Sequence, residues 1–486
     1  MAAAKRFSIT PKLWERVNHF SLYNQTGVSL RQMVEHGRRQ SPMTILQAGQ
    51  FLSEELPVRL AHRVKELDEL PNGLNDMPSI VRVKEWYAQS FQELVDFPKP
   101  QLPDSITKQL ANSISQNPMN LSSSTPNPSL SEEAESHEDG RHDVDAKASK
   151  ERMRKRALAL AEDSSNGNSG NGNGLRKRIP IENRYYADHA NIKQVPPEVT
   201  DYNEQFTRCL EQIKKRHDAV VTTVAQGVLE YKRANQGKNI QADVQRFLDR
   251  FYMSRIGIRI LIGQHIALAR TPANDRAAAG RVGALSGAGA DGEEPENYVG
   301  IICTNTNVGA MAREAIENAR FVCEEHYGLF KGPPVQLICP KNLTFMYIPS
   351  HLNHMIFELL KNSLRAVVER YGVENEDHYP PIKVIVVEGQ EDITIKISDE
   401  GGGIPRSEVP LVWTYMYTTA QSEDLDPDFQ ASDFKAPMAG FGYGLPLARL
   451  YARYFGGDLK LISMEGYGTD AYLHLNRLST SAEPLP

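Results

Sequence analysis

The chain has 486 residues, 40% of them hydrophobic and 24% charged, which is enough to bury sizeable cores in about two to four domains. Its 55 basic and 61 acidic residues give a net charge of −6, which excludes the strongly basic composition of a dedicated nucleic-acid-binding protein. It has four cysteines, none in a CxxC pair, and no apolar run of about 18 residues, so it indicates no zinc site, disulfide scaffold or membrane span.

The first twenty residues are basic, amphipathic and poor in acids. Lys5, Arg6, Lys12 and Arg16 accompany a single acidic residue, Glu15, among Ala, Phe, Leu and Trp. This composition is typical of an organellar transit peptide, and it is equally typical of an ordinary basic first helix. The sequence alone favours neither interpretation.

The segment from 13 to 270 has the periodicity of a helical bundle with one long interruption. Residues 56–67, 79–97, 201–233 and 241–268 carry apolar side chains at three- and four-residue spacing. This spacing predicts long amphipathic helices that pack together as a bundle.

The interruption, at about 99–185, is rich in Ser, Pro and acidic residues, and its segment 164–174 contains no apolar residue. Such a composition cannot bury enough surface to offset the entropy of ordering the chain, so we predict a disordered insertion. Because it supplies no core, we expect residues 101–183 to be dispensable for folding and catalysis. A Gly- and Ala-rich stretch at 271–298 is predicted to be a flexible linker.

After residue 298 the pattern changes to short strands mixed with strong helices. Strand-like runs occur at 343–349, 382–388, 393–397, 459–463 and 471–475. Helical segments occur at 309–327, 351–371 and 444–456. Because these elements follow no strict βαβ order, they indicate a layered α/β domain at 299–478, followed by a short tail at 479–486.

A polar row runs along the helix predicted at 351–371. His354, Glu358 and Asn362 are four residues apart and Arg365 follows three later, so all four lie along one helical face. A carboxylate with a histidine one turn earlier can act as a general base, and an asparagine one turn later can bind a hard cation through its amide oxygen. On its own, the row is equally compatible with a solvated helix face.

Three glycine-rich blocks follow in order. SDEGGGIP (398–405) places an acid and three glycines after a strand, which lets a ligand approach the backbone closely. GFGYGLP (440–446) opens a helix, where free N–H groups and the helix dipole form an anion site. GYGT (466–469) lies between the last two strands. Each block alone is more often a turn, but the ordered set is far more specific.

This ordered set resembles the boxes of the ATPase fold shared by gyrase-type ATPases, Hsp90 chaperones and histidine kinases. The segments PSHLNHMIFELLKNSLRAVVE, AGFGYGLPLARLYARYFGGDL and SMEGYGTDAYLHL look more specifically like the mitochondrial pyruvate dehydrogenase kinases. ELPVRLA and RHDAVVTTVAQGVLEY are similar to that family's bundle. The resemblance covers about 13–97 and 190–478. It implies an α + α/β fold, in which a four-helix bundle precedes a GHKL/Bergerat-type α/β sandwich that binds ATP.

The sequence departs from the family pattern in the insertion, at Glu400, where a basic residue is usual, and in the tail. Only NRLSTSAEPLP follows the last predicted strand, and the Asp-Trp pair of the family's tail is missing. This tail has little apolar surface with which to dock. We therefore expect dimer cross-talk and lipoyl docking to depend on it less than in the relatives.

The resemblance also implies roles for the polar row and the nucleotide blocks. Glu358 would be the general base for a substrate serine, His354 would orient it, Asn362 would hold Mg²⁺, and Arg365 would lie near the phosphates. Asp399 would accept a hydrogen bond from the adenine amino group. The other implied nucleotide residues, which give the base room, support it or belong to the lid, are Gly401, Gly403, Thr418, Thr419, Gly440, Phe441, Gly442, Tyr443, Gly444, Leu445 and Thr469.

In the bundle, the family has an inhibitory pocket for pyruvate or a similar small acid. The matching residues here are Tyr87, Ser90, Lys214, His217, Ser254 and Arg255. Lys214 stands where an arginine is usual. Because lysine keeps the charge but loses the planar fork that grips a carboxylate, we expect weakened inhibition.

The implied function is that of a protein serine kinase of the mitochondrial matrix. It would use ATP and Mg²⁺ to phosphorylate, and so inactivate, the E1α subunit of the pyruvate dehydrogenase complex. The family acts as a homodimer that docks on lipoyl domains of the E2 acyltransferase, and no nucleic-acid partner is expected.

Three alternatives remain open. The first is the sibling kinase of the branched-chain 2-oxoacid dehydrogenase. The second is a true histidine kinase with His217 as phospho-acceptor, although no receiver-like or sensor segment is evident and the helical half resembles the serine kinases. The third is a non-catalytic ATP-binding interaction protein, which the presence of a base, a metal ligand and an adenine-binding acid disfavours.

Overall fold

The structure is a computed structural model, and it describes residues 7–38, 41–100, 124–128, 196–235, 242–270, 297–418 and 442–485. Most of the predicted insertion and linker lies outside these residues. Within the described ranges, the chain has a helical N-terminal half and a mixed α/β C-terminal half. No helix of these ranges is long and apolar enough to cross a membrane.

The helical half is the predicted bundle. Its helices are α1 (Pro11–Phe20), α2 (Leu30–Gly37), α3 (Pro42–Asp68), α4 (Pro78–Val95), α5 (Pro197–Arg216), α6 (Val220–Ala234) and α7 (Ala242–Arg270). Side chains of Thr10, Ser29 and Ser41 cap the first three by accepting hydrogen bonds from N–H groups of the first turn. Helix α3 packs against α4, α5 and α7, and α6, which follows α5 after a short turn, packs against α4.

The basic N-terminal segment forms part of this bundle from Pro11 onward. Leu13 and Val17 of α1 are buried in the core, and Arg16 pairs with Asp96 at 2.8 Å. These residues therefore form a first helix, as the second interpretation of the sequence predicts.

The C-terminal half is built on two sheets. Its strands are β1 (Tyr298–Val299), β2 (Ile302–Asn307), β3 (Val335–Ile338), β4 (Thr344–Tyr347), β5 (Ile382–Glu388), β6 (Asp392–Asp399), β7 (Asp458–Met464) and β8 (Gly468–Asn476). Its helices are α8 (Val308–Tyr327), α9 (Pro349–Tyr371) and α10 (Gly444–Tyr454). This combination confirms the predicted fold class.

The larger sheet has the strand order β3-β5-β6-β8-β7, and only the β3–β5 pair is parallel. Along β6 the side chains alternate, so that Ile393, Ile395, Ile397 and Asp399 are all buried on one face. Strand periodicity thus carries Asp399 to the helix-covered side of the sheet at the point where the strand ends. The smaller sheet, β1-β2-β4, adjoins the bundle, since Gln264 of α7 bonds Val299 O and Ile301 N at 3.0 and 2.9 Å.

The tail docks more firmly than its composition predicts. Ser479, Ser481 and Glu483 are all buried. The Arg31 N–H donates to Ser479 O at 3.2 Å, and Asn476 Nδ2 donates to Ser481 Oγ at 2.7 Å. The tail therefore packs firmly within its own chain, although its composition indicated little surface with which to dock; its part in dimer contacts and lipoyl docking stays a prediction. Backbone hydrogen bonds and buried polar side chains hold the tail in place, rather than apolar surface.

Part of the predicted insertion also contacts the core. The Thr125 N–H donates to Thr480 O and the Ala482 N–H to Thr125 O, both at 2.9 Å. Asn127 is buried, and its Nδ2 lies within 3.2 Å of the carbonyl oxygens of Arg453, Tyr454 and Ala482. This contact contradicts the expectation that the whole of residues 101–183 supplies no packing, because residues 124–128 hold the tail.

We therefore predict that removing residues 131–183 and substituting Asn127 will have different effects on stability. Replacing residues 131–183 by a short Gly/Ser bridge should move the melting temperature by only about 2 °C, because loop-closure entropy changes slowly with loop length. Adding Asn127→Ala should cost about 1–3 kcal/mol, because buried carbonyls lose their donor. Thermal and urea unfolding measure both effects, with Asn24→Ala as an exposed control, and an Asn127→Ala variant of unchanged stability would contradict the prediction.

Candidate active site

The burial of helix α9 shows whether its polar row faces solvent or the protein interior. Ile356, Leu359 and Leu364 lie in the core, as an apolar stripe should. However, His354 and Glu358 are also buried, with only 7% and 4% of their surfaces exposed. A solvated helix face would expose these groups, so the polar row lines an interior site.

The carboxylate of Glu358 is fixed between a lysine and a glycine. Its Oε1 accepts a hydrogen bond from Lys361 Nζ at 2.9 Å, and Lys361 is itself buried. On the other side, Gly444 comes so close that a Cβ at this position would overlap Glu358 Oε2. The ion pair and the contact with Gly444 together fix the position of the carboxylate beside the start of α10. Sequence reasoning missed Lys361, although it lies on the same helix.

His354 and Arg365 flank this carboxylate along the helix. The His354 ring packs edge-on against Tyr451 of α10, with a centroid separation of 5.3 Å, which fixes its orientation. Arg365 Nε donates to Glu369 Oε1 at 2.7 Å. Because Glu369 is exposed, this ion pair is weak, and the guanidinium could exchange it for phosphate oxygens.

Asn362, the predicted Mg²⁺ ligand, is half-buried one turn beyond Glu358. Across the described ranges, no three His, Cys, Asp or Glu side chains form a group that could hold a metal ion. Mg²⁺ commonly takes only one or two protein ligands and completes its shell with water and substrate phosphates. The Asn362 amide oxygen is a hard donor of that type, so the residues present fit Mg²⁺ brought with a nucleotide.

Asp399 is held by donors from three parts of the chain. Its Oδ2 accepts from Ser363 Oγ at 2.9 Å, while its Oδ1 accepts from the N–H groups of Gly401 and Thr469 at 2.9 and 3.3 Å. Burial raises the pKa of Asp399, and these hydrogen bonds oppose that rise. The sequence indicated Asp399, Gly401 and Thr469 but not Ser363, whose hydroxyl reaches Asp399 from α9.

The glycines beside Asp399 make room for close backbone contacts. Gly403 has φ +71, and a Cβ there would overlap Met464 O, so a side chain is excluded on both counts. The loop at 401–403 and the turn at 466–468 are joined by hydrogen bonds between Gly402 and its partners Tyr467 O and Gly466 N at 3.0 and 2.8 Å. Arg370, which sequence reasoning missed, donates to Glu400 O and Gly466 O at 2.8 and 2.9 Å and clamps the two loops together.

The predicted lid lies only partly within the described residues. Thr419, Gly440 and Phe441 fall outside them, while Thr418 and Gly442 border the gap and Leu445 is half-buried at the start of α10. The Tyr443 ring packs against Tyr415 and against Tyr252 of α7, with centroid separations of 5.2 and 5.9 Å.

The near side of the lid is fastened to the bundle. The Tyr415 N–H donates to Gln245 Oε1 at 2.8 Å, and the Tyr415 hydroxyl donates to Asp249 Oδ1 at 2.7 Å. Gln245 and Asp249 both belong to α7. The two stems of the lid, at Tyr415 and Tyr443, are therefore both in contact with one bundle helix.

A second polar cluster lies inside the bundle, where the small-acid pocket was predicted. The Tyr87 and His217 rings stack with a centroid separation of 4.4 Å, and Ser90 Oγ lies 3.0 Å from His217 Nε2. Arg255 Nη2 donates to His217 O at 3.1 Å, and Ser254 is buried next to it on α7. The structure thus brings these five predicted residues to one part of the bundle core.

The guanidinium that reaches Ser90 comes from Arg216, which sequence reasoning missed. Its Nη1 donates to Ser90 Oγ and its Nη2 to Glu93 Oε1, both at 2.7 Å. Lys214 is half-buried, and its pKa is lowered by burial and by the charge of Arg259. Arg216 therefore offers the planar fork that Lys214 lacks.

His217 is buried, and burial together with the charges of Arg255, Arg216 and Arg259 lowers its pKa to about 3. The ring is therefore neutral at physiological pH and closed to a second protein. A phospho-acceptor must meet a nucleotide or a partner, so the structure argues against the histidine-kinase alternative.

We predict that Asp399 and Glu358 separate binding from chemistry. Asp399→Ala should weaken ATP binding by about 10- to 100-fold, because a hydrogen bond to a charged group contributes about 1.5–3 kcal/mol. Glu358→Gln should retain ATP affinity, since the substitution preserves shape. Equilibrium titration with a fluorescent ATP analogue measures both, and Asp392→Ala, an exposed acid on the same strand, is the matched control. An Asp399→Ala protein that binds ATP normally would refute the assignment.

Comparisons with known proteins agree with this geometry. The sequence profile of the mitochondrial branched-chain alpha-ketoacid dehydrogenase kinases matches residues 27–303. The profile of the histidine kinase-, DNA gyrase B- and HSP90-like ATPases matches residues 347–479, which contain the Asp399 network and α10.

Full-length relatives are more specific. The chain is 44% identical to a mitochondrial [pyruvate dehydrogenase (acetyl-transferring)] kinase of Schizosaccharomyces pombe, over 97% of this chain and 98% of that protein. It is 36% identical to the Arabidopsis thaliana kinase of the same name over 100% of both chains. It is 33% identical to the human isozyme 3, over 97% of this chain and 88% of that protein. The chain therefore belongs to the mitochondrial pyruvate dehydrogenase kinase family.

Proposed function

We propose that this chain is a mitochondrial protein serine kinase that uses ATP to phosphorylate the E1α subunit of the pyruvate dehydrogenase complex and thereby inactivates it. The names and full-length similarity of the relatives support the activity and the compartment. The observation that carries the proposal is the buried Glu358, held by Lys361 against the first residue of α10. This carboxylate lies beside the N-terminus of a helix, the kind of place where phosphates bind, which supports the role of general base for Glu358.

The adenine end of the nucleotide would lie at Asp399. A carboxylate that already accepts three hydrogen bonds is oriented for one more, from the adenine amino group. The loops that Arg370 clamps would cover the base, and the α10 N–H groups would face the phosphates. Mg²⁺ held through Asn362 would neutralise phosphate charge.

Phosphoryl transfer then needs little covalent chemistry from the protein. The serine hydroxyl gives its proton to the Glu358 carboxylate as its oxygen forms a bond to the γ-phosphorus. The bond from that phosphorus to the bridging oxygen breaks, and ADP leaves. His354, held by Tyr451, would orient Glu358 as a positioning residue, and Lys361 would stabilise its charge before transfer.

The experiment is phosphorylation of purified dehydrogenases with labelled ATP. The chain should label the E1α serine of the pyruvate dehydrogenase complex and leave the branched-chain complex largely unlabelled. Glu358→Gln should lower single-turnover transfer by about 100-fold or more, as loss of a general base does. Glu374→Gln, an exposed acid elsewhere, is the control. Preferential labelling of the branched-chain complex would favour the sibling kinase, and labelling of neither would favour the non-catalytic alternative.

We further propose that the bundle cluster binds pyruvate or a similar small acid as an inhibitor. Arg255, Arg216 and Arg259 provide cationic groups around His217, and an anion gains most from charges in a buried site. Because Arg216 supplies a planar fork, the weakening expected from Lys214 should be small.

Arg255→Ala should therefore raise the pyruvate concentration needed for half-inhibition by about tenfold or more, the usual consequence of losing a buried charged hydrogen bond. Kinase assays over a pyruvate series measure this effect. Arg208→Ala, an exposed arginine on α5, should leave inhibition unchanged. Unaltered inhibition in Arg255→Ala would rule out the pocket.

Two partner surfaces support the expected assembly. The sheet face opposite the helices exposes apolar side chains, which suits pairing with a second copy: Ile338, Val387, Ile462 and Met464. A separate cavity of about 50 Å³ lies between α2, α3 and α7, and we propose that it widens to admit the arm of an E2 lipoyl group; it is lined by Val28, Met33, His36, Phe51, Leu261 and Leu268. Neither surface uses the tail, which supports the prediction that docking depends little on it.

A further inference from the structure

The last residues of the chain end in a buried ion pair. The Glu483 carboxylate lies 2.7 Å from Arg59 Nη1, and both side chains are almost completely inaccessible. Arg59, on α3, also donates from Nε to Glu55 Oε1 and from Nη2 to Thr26 O, each at 2.8 Å. Its guanidinium therefore joins the bundle to the tail.

The same point touches the catalytic half of the molecule. Tyr454, the last residue of α10, is buried beside Arg59 and Glu483, and burial and the Glu483 charge raise the pKa of its hydroxyl. Gly257 of α7 leaves the space for this meeting, because a Cβ there would overlap Tyr454 Oη and lie 2.8 Å from Arg59 Nη1. Two bundle helices, the tail and the end of α10 thus meet at one buried contact. We call this contact the clasp; its residues are Arg59, Gly257, Tyr454 and Glu483.

The other end of α10 lies in the active site. Gly444, its first residue, approaches the Glu358 carboxylate. The helix has 11 residues, so the clasp and this glycine are about 16 Å apart along one rigid element. A shift at Tyr454 must therefore move Gly444 relative to Glu358, because a helix transmits displacement along its axis with little compression.

A buried ion pair is a weak source of stability, since desolvation of the charges opposes their attraction. In the clasp, two carboxylates share one guanidinium, and burial raises the pKa of Glu483. The clasp instead fixes the relative positions of its parts. The planar Arg59 guanidinium points different nitrogen atoms at Thr26, Glu55 and Glu483, so all three interactions form in only one arrangement.

We propose that the Arg59–Glu483 pair positions α10, so that docking of the tail sets the placement of the phosphate-binding turn at 442–445 over Glu358. Arg59 and Glu483 are positioning residues that act through Tyr454. The expected effect on phosphoryl transfer rests on the proposed kinase function, whereas the expected effects on nucleotide affinity and hydrogen exchange do not. The segment 124–128 forms hydrogen bonds with the tail next to Glu483 and so helps to keep the tail in its docked position.

The test compares the full chain with Glu483→Gln and with a chain that stops after Leu478. Glu374→Gln is the matched control at an exposed site. Three quantities are measured: affinity for a non-hydrolysable ATP analogue, amide hydrogen exchange of residues 444–454 and 392–399, and single-turnover transfer to E1α. Exchange separates a local effect on α10 from general unfolding.

We expect both variants to speed exchange at 444–454 while leaving 392–399 unchanged. Nucleotide affinity should fall about tenfold, because displacements below 1 Å in a phosphate site are costly. Unchanged α10 exchange and affinity would overturn the proposal, and so would equally faster exchange at both segments, which marks a merely structural role. If the unaltered chain labels no dehydrogenase, the kinase function fails, whereas affinity and exchange still decide the clasp.

Discussion

The structure depends on a helix whose middle turns face protein on almost every side. Residues 251–258 and 260–265 of α7 are all buried, so this stretch of the helix must be covered by both halves of the chain. The bundle covers one side, and α10, the lid stems and the β1–β2 turn cover the other. Three sets of contacts therefore meet on α7: Gln245 and Asp249 hold Tyr415 at the stem of the predicted lid, Ser254 and Arg255 belong to the polar cluster of the bundle, and Gly257 leaves room for the Arg59–Glu483 clasp.

The proposed base Glu358 and the proposed adenine-binding acid Asp399 are also buried, and each carboxylate has defined partners. Glu358 has Lys361, and Asp399 has a hydroxyl and two backbone N–H groups. In a low-dielectric site such fixed partners are worth more than in water and need no rearrangement when substrate arrives. The same principle explains why the burial of the polar row on α9 supports a functional role. If the same residues were exposed, they would indicate only a solvated helix face.

The sequence predicted the elements with strong periodicity and missed those without it. Strands β5 and β8 and all three C-terminal helices lie where the pattern placed them, whereas β2 (ICTNTN) and β3 have too little apolar alternation to be recognised. In the site, Asp399 and Glu358 were found because they stand in short motifs. Ser363, Arg370 and Arg216 were missed because their partners are 36, 30 and 126 residues away in the chain. The tail was misjudged because composition reveals apolar surface but not strand pairing or a buried ion pair.

A shared helix also constrains how the two sites influence each other. The acid cluster and the lid stem lie on the same α7, less than three turns apart, so a ligand that shifts this helix alters the nucleotide site. Thermodynamic linkage makes the effect reciprocal: an acid that weakens nucleotide binding by some factor must itself bind less tightly, by the same factor, to the nucleotide-bound protein. An acid that instead favours one nucleotide must bind best in its presence. The sign of that coupling follows from the α7 position that each ligand prefers, because residues 251–265 of the helix are enclosed and cannot move independently of the elements packed on them.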